Sequence, residues 1–365
     1  MRVGTLLESN DLARDLIEGQ ELTTALLNKE INLDVFPIAT WIEKLKLMLL
    51  IRLVEEKIAD ERRSGVIGGP VHLSSGQEAI AVGIATHFSN EDYIFSAHRS
   101  HAHLLALDQD LRKLFAELLG KATGSSRGMG GSMHLWSGST GFLGSVPIVA
   151  GTVSLAVGAG LASKLRNQDS IAVTFFGDGA MEEGVVHESL NLAKKLGSPT
   201  LFVCENNFFS SHMHISQRQP SPLNSRFAVS NLIDYELVDG NNISDVISAS
   251  ASLISKIRKT HEPAFLEVIT FRHFGHVDWR EDTDVGVHRS ASEIKIWKTR
   301  DPIRRLEDAL RKSGNLTDRT VSELRQEIEN LIHEAWQNSL NDPFPSPSAT
   351  LDYVYGRPRQ KEQSN

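Results

Sequence analysis

Two short apolar runs, IAVTFF at 171–176 and TLFVCE at 200–205, restrict the fold more than any other feature of the chain. Both are rich in β-branched and aromatic residues and lack polar alternation, so each predicts a strand covered on both faces. Between them EEGVVHESLNLAKKLG places Val185, Leu190, Leu192 and Leu196 as the apolar residues of a helix, with Gly197 as a stop and Pro199 beyond it. Strand, helix and strand in this order form a right-handed βαβ unit, so the two strands run parallel and their carboxyl ends open on one edge. Ligands of open parallel sheets bind along that edge. PAFLEVITF at 263–271 predicts a third strand of the same kind. The expected fold class is therefore α/β, a parallel sheet with helices on both faces.

Other segments extend this frame. Ile42, Leu45, Leu49, Leu53 and Ile58 keep helical spacing and predict a long amphipathic helix over 41–63, preceded by an appended arm at 1–40. From Gly65 to Val149, glycine-rich turns alternate with helical patterns such as SGQEAIAVGIATHF and LRKLFAELLG, the pattern of loops that feed a site. A charge-rich helical segment from Asp301 to about Gln337 completes a main domain at 41–340, and a Pro- and Ser-rich tail at 341–365 reads as an extended arm.

Composition excludes several functions. A formal net charge of −8 argues against nucleic acid as a partner, because phosphate-backbone binding needs clustered Lys and Arg. The single cysteine, Cys204, rules out an intrachain disulfide and sits in an apolar run, where a buried, inert thiol is expected. The apolar stretch LKLMLLIRLV is broken by charges, so no membrane span is expected. The first residues lack an apolar signal core and carry several acids, which makes the cytoplasm the expected location.

The chemistry is concentrated in FFGDGAMEEG and FVCENN, which put Asp178 and Asn207 directly after the two strands of the βαβ unit. Parallel strands lie about 4.8 Å apart, so side chains at neighbouring strand ends can converge on one cation. Both offer hard oxygens, which suit magnesium or calcium, and the GDG glycines let a phosphate group approach the backbone. Asp178 is expected at a solvent-facing strand end. Either motif alone is commonplace; their spacing is what makes the pair specific.

GDG followed about thirty residues later by NN resembles the thiamine-diphosphate signature of transketolases, decarboxylases and 2-oxo acid dehydrogenases. HLSSGQEA (72–79), AHRSHAH (97–103), GKATGSSRGMGGSMH (120–134) and FRHFGHV (271–277) are similar, in this order, to segments of the alpha subunits of pyruvate, branched-chain 2-oxo acid and acetoin dehydrogenases. The resemblance spans roughly residues 40 to 340. It implies the thiamine-diphosphate-binding form of the α/β fold with helical arms, thiamine diphosphate and Mg2+ as cofactors, and a small 2-oxo acid or acetoin as substrate.

The resemblance also implies roles position by position. Asp178, Asn207 and the carbonyl of Phe209 look like the magnesium ligands; Gly179 and Ala180 would flank the diphosphate, and Arg99 would grip it. Val149 resembles the position whose backbone meets the aminopyrimidine, with Pro147 and Ser137 nearby. His276 resembles a loop histidine that meets the diphosphate and the reacting centre, where a neutral-range pKa would suit proton transfer. His72 resembles a histidine facing the substrate, and His134 one that supports its loop. Two departures stand out: His98 occupies a cofactor-facing position where relatives commonly have Tyr, and NNFFSS replaces NNRYG or NNGYA. The loop after His276 reads HVDWREDTDVGVHR and lacks the serines usual there, so phosphorylation at that site is not expected.

Partners follow from the same resemblance. A chain of this length has room for one such domain, so the cofactor-activating glutamate is expected on a beta-type subunit, in an alpha2-beta2 heterotetramer, with a lipoyl-bearing acyltransferase as acyl acceptor. Rival readings are half of a split transketolase, a non-catalytic regulatory subunit, and a subunit of a specialised biosynthetic complex that transfers an acyl or aldehyde unit.

Overall fold

A computed structural model describes residues 27–280, 283–284 and 287–350. Most of the expected amino-terminal arm, the end of the tail and four residues of the loop after His276 lie outside the described residues. The main sheet has six strands, β1 (Tyr93–Ser96), β2 (Phe142–Ser145), β3 (Ala172–Gly177), β4 (Thr200–Asn206), β5 (Asp234–Asp239) and β6 (Ala264–Ile269), in the order β2-β1-β3-β4-β6-β5. Every pairing within it is parallel.

The central strands divide their side chains between two cores. Val173 and Phe175, Leu201 and Val203, and Leu266 and Val268 enter one. Phe176, Phe202, Cys204 and Phe265 enter the other. This is the period-two consequence of a strand buried on both faces. Cys204 is wholly buried, and burial pushes its thiol well above the usual range, as an inert core cysteine requires.

The larger core is covered by α1 (Ile38–Ser64), α2 (Glu78–Ala85), α3 (Leu111–Leu118), α6 (Ile243–Thr260), α7 (Pro302–Lys312) and α8 (Asp318–Asn341). On α1, Trp41, Leu45, Met48, Ile51 and Ile58 are fully buried, each such side chain contributing roughly 1.5–3 kcal/mol. The helix ends at Gly65, whose left-handed φ of 85° suits glycine. On the opposite face lie α4 (Gly151–Leu165) and α5 (Gly184–Leu196).

The α5 stripe differs from the sequence expectation. Val186, Leu190 and Ala193 are buried, whereas Leu192 and Leu196 are 49% and 40% exposed. A stripe at i, i+4, i+7 includes the small Ala193, which a search for large apolar residues passes over. Three strands also lack the apolar-run signal. β2 and β5 are the sheet edges, where β5 keeps a half-polar sequence, DYELVD, because only part of it is covered. β1 is central but only four residues long.

One buried carboxylate shapes the glycine-rich segment before β2. Glu117, at the end of α3, accepts the backbone N–H groups of Ser126 and Gly128 on one oxygen and of Gly130 and Gly131 on the other, at 2.7–3.0 Å. Four donors on one buried anion fix the loop that carries Met133 to the cavity described below. Glu117→Ala is expected to strand these donors, lower stability by about 3 kcal/mol or more, and open residues 120–134 to protease. An unchanged melting temperature and cleavage pattern would show that the loop holds itself.

Candidate functional site

The carboxyl ends of the strands converge on one cavity of about 220 Å³. β1 delivers Ala97, His98 and Arg99; the turn after β2 delivers Pro147 and Val149; β3 delivers Gly177, Gly179 and Ala180; β4 delivers Glu205, Asn207 and Phe209. The segment after β6 adds Arg272 and His276, and the loop between α1 and α2 adds His72 and Gln77. A parallel sheet produces this convergence because all its carboxyl ends lie on one edge.

Asp178 lies beneath the wall, at the start of a 3-10 turn over Asp178–Glu182. It is fully buried, which corrects the expectation of a solvent-facing position. Folding of the turn brings Arg218 against it: Arg218 pairs through one nitrogen with Oδ2 of Asp178 and through the other with Glu182. Oδ1 of Asp178 is buried without a hydrogen-bond partner in the structure. Burial raises the Asp178 carboxyl above its usual range, while the Arg218 guanidinium opposes that shift. Gly179 follows, and a Cβ there would stand 2.5 Å from the Ser210 Oγ, so this turn and the loop after β4 approach as closely as glycine permits.

That loop is itself unusual. Phe208 adopts φ +66°, a left-handed conformation that costs a non-glycine residue roughly 1–2 kcal/mol. It is held by the Phe208 N–H donating to Asn206 Oδ1 at 3.2 Å and the Ile215 N–H donating to the Phe208 carbonyl at 2.7 Å. The Asn206 side chain is anchored in turn, donating at 2.7 Å to the buried carboxylate of Glu267 and to the Pro222 carbonyl. Asn207 Oδ1 accepts from the Phe209 N–H at 3.2 Å.

The other end of the cavity is basic. Arg99 donates to the Leu73 carbonyl at 2.6 Å and to the His276 carbonyl at 3.2 Å, and buried Arg272 donates to the Ser211 carbonyl at 3.0 Å. His72, His98 and His276 meet edge to face, their ring centroids 4.7–5.1 Å apart. Burial, followed by the charge of Arg99, depresses all three: His72 to about 2, His98 to about 3, and His276 further. This corrects the neutral-range pKa expected for His276. One ring nitrogen from each lies within 4.8 Å of the others, a spacing a metal ion could use. Burial is the larger cause of their neutrality, and the positive charge of Arg99 and Arg272 beside the rings disfavours a further cation there.

Ser137 lies outside the cavity lining, its hydroxyl donating to Asp108 Oδ2 at 2.6 Å. His134 is exposed, with Nδ1 3.0 Å from the Gly130 carbonyl, within its own loop. Four residues the sequence did not single out belong to the site. Gln77 lines the cavity with both amide atoms buried and unpartnered. Glu205 is held by buried His103 at 3.2 Å, while Arg272 contributes charge and Arg218 backs Asp178. Gln77 and Arg272 stand inside motifs already quoted, SGQEA and FRHFGH; nothing in the local sequence distinguishes Arg218 from an exposed loop arginine.

Fold and site together define a parallel α/β protein with Asp178, Asn207 and a histidine- and arginine-lined cavity on one sheet edge. The dehydrogenase E1 component family matches residues 45–348. The alpha subunit of acetoin:2,6-dichlorophenolindophenol oxidoreductase from Bacillus subtilis strain 168 is 34% identical over 317 residues, 84% of this chain and 91% of that protein. The pyruvate dehydrogenase E1 component subunit alpha of Rhizobium meliloti strain 1021 is 33% identical over 302 residues, 82% of this chain and 86% of the relative. The Cupriavidus necator acetoin:2,6-dichlorophenolindophenol oxidoreductase alpha subunit is 32% identical over 317 residues, 84% of this chain and 92% of the relative. The chain belongs to the dehydrogenase E1 component family, among the alpha subunits of thiamine-diphosphate-dependent 2-oxo acid dehydrogenases. No helix among the described residues is long and apolar enough to cross a membrane.

The basic cavity sets a pH expectation. Histidines in an unfolded chain titrate near about 6.5, so below that pH the unfolded state binds more protons than the native state and stability falls as pH drops. In the cofactor-free protein, ring NMR signals of His72, His98 and His276 are expected to remain those of neutral imidazole from pH 8 to pH 5. Midpoints near 6.5 would contradict the description of the cavity.

Proposed function

We propose that this chain is the cofactor-holding alpha-type subunit of an enzyme that oxidatively decarboxylates a small 2-oxo acid, or cleaves acetoin, and transfers the acyl unit to a lipoyl group. The observation that carries the proposal is the unpartnered, buried Oδ1 of Asp178 on the same sheet edge as the basic cavity. A hard divalent cation would satisfy that oxygen, and an anion would offset Arg99 and Arg272. Both are properties of a magnesium–diphosphate group.

Asp178, Asn207 and the Phe209 carbonyl would hold Mg2+, while Arg99, His98, Gly179 and Ala180 would hold the diphosphate. Pro147 and Val149 would border the aminopyrimidine. Thiamine diphosphate, when bound, would supply the nucleophilic carbon for the keto group and an electron sink for the bonding pair left behind as carbon dioxide departs. His72 and His276 would face the substrate. Being neutral, each can accept a proton or donate a hydrogen bond to developing charge, and a bound diphosphate would raise their basicity by offsetting Arg99.

Exposed apolar side chains lie on β2 and α4 and in the turn between them: Leu143, Ile148, Val149 and Leu155 are 39–71% exposed. They fit an interface with the beta-type subunit, which would supply the activating glutamate in an alpha2-beta2 assembly working in the cytoplasm with a lipoyl-bearing acyltransferase. Residues 41–340 would form the working domain.

Coexpression with a beta-type subunit tests the proposal, using release of carbon dioxide from a panel of 2-oxo acids, cleavage of acetoin, and an artificial electron acceptor. Activity is expected only in the pair; turnover by the isolated chain would place the activating glutamate within it. In the pair, His276→Ala is expected to lower turnover at saturating cofactor by about 10²-fold or more. Near-normal turnover would assign His276 to holding its loop.

A further inference from the structure

We infer that Arg218 is a positioning residue for the cation site: it holds one oxygen of Asp178 so that the other is left for the metal. The inference rests on the proposed function, since it concerns the same cation.

The geometry is specific. The guanidinium divides its nitrogens among three acceptors: Nη2 pairs with Asp178 Oδ2, Nη1 with Glu182, and Nε donates to the Met213 carbonyl at 3.1 Å. Gln219 donates to the same Glu182 oxygen at 3.0 Å. The Arg218 side chain is 5% exposed and that of Asp178 1%. A guanidinium gripped on three sides, out of solvent, cannot rotate freely, and it fixes which carboxylate oxygen is used up. Oδ1 is the atom left over.

Chain connectivity gives the arrangement a second purpose. Arg218 lies on the excursion after β4 that also supplies Asn207 and Phe209, which turns back through the paired segments Phe209–Ser210 and Met213–His214. The Arg218 N–H closes that excursion on the Ile215 carbonyl at 3.0 Å. Arg218 therefore ties the turn after β3 to the loop after β4, so the carboxylate and amide ligands are held as a unit. Groups that orient metal ligands typically govern 10–100-fold in affinity. A guanidinium that merely competes for the cation position would behave oppositely, because its removal would relieve repulsion and tighten metal binding.

The test uses the full-length chain purified with its beta-type partner, in wild-type, R218Q, R218K and D178N forms. Mn2+ stands in for Mg2+, and free Mn2+ is counted by electron paramagnetic resonance in the presence of thiamine diphosphate. R218Q is expected to weaken Mn2+ binding about 10–100-fold, with R218K intermediate because an ammonium can hold Asp178 but not Glu182 and the Met213 carbonyl as well. Pyrophosphate binding without metal should be the same in R218Q and wild type, a result that general loss of structure would not give. If R218Q fails to fold, R218K decides the matter: weaker Mn2+ binding supports the inference and unchanged binding overturns it. Equal or tighter binding by folded R218Q also overturns it, while loss of Mn2+ in D178N leaves the proposed function standing. Absence of metal uptake by the wild type would overturn the proposed function itself.

Discussion

Parallel pairing of all six strands is the constraint from which the site follows. It forces every carboxyl end onto one edge, so residues far apart in sequence, from Arg99 to Arg272, meet there, and loops before α2 and before β2 add His72, Gln77 and Met133. The same pairing requires crossover helices on both faces, which explains why the central strands alternate between two apolar cores rather than between core and water. Polar residues on the carboxyl edge must satisfy one another there.

How they do so divides the edge into two electrostatic halves. On one side Asp178 and Glu182 are met by Arg218, and Asn206 is tied to the buried Glu267. On the other, Arg99 donates to the Leu73 and His276 carbonyls and Arg272 to the Ser211 carbonyl, beside three imidazoles that burial first, and the charge of Arg99 next, keeps uncharged. A ligand with a cation at one end and anionic oxygens at the other complements both halves at once. The strained Phe208 backbone lies between the two loop residues proposed to hold the cation, where the surrounding hydrogen bonds over-determine it.

The central strands were legible because a strand buried on both faces has no choice but to be apolar, and the places of Asp178 and Asn207 followed because each comes directly after such a strand. The edge strands were not read from the sequence: FLGS is four residues with no clear period, and the apolar–polar alternation of Ile233 to Leu237 lacks the fully apolar run by which the central strands stood out. Site residues inside motifs, such as His72 and His276, could be named from sequence, but their charge state could not. It depends first on their burial and then on Arg99 and Arg272, all of which only the fold creates. Arg218 was invisible for the same reason: its role exists only through burial against Asp178. Ser137 illustrates the converse, a residue near the right segment whose hydroxyl is occupied by Asp108.

The paired halves also give the departures from relatives a physical setting. His98 contributes a third ring to the basic end without adding charge, and Phe209 keeps a backbone carbonyl while replacing a phenol, so neither removes a ligand proposed for the cofactor. The buried carboxylate of Asp178, directly after β3, is proposed to hold a divalent cation carried by a diphosphate. Calorimetric titration of thiamine diphosphate into the chain assembled with its beta-type partner, with Mg2+ and again with the metal chelated, tests it most directly. Tight binding that requires Mg2+ and disappears in Asp178→Asn is expected; binding that survives both chelation and the substitution would contradict a cation site at Asp178.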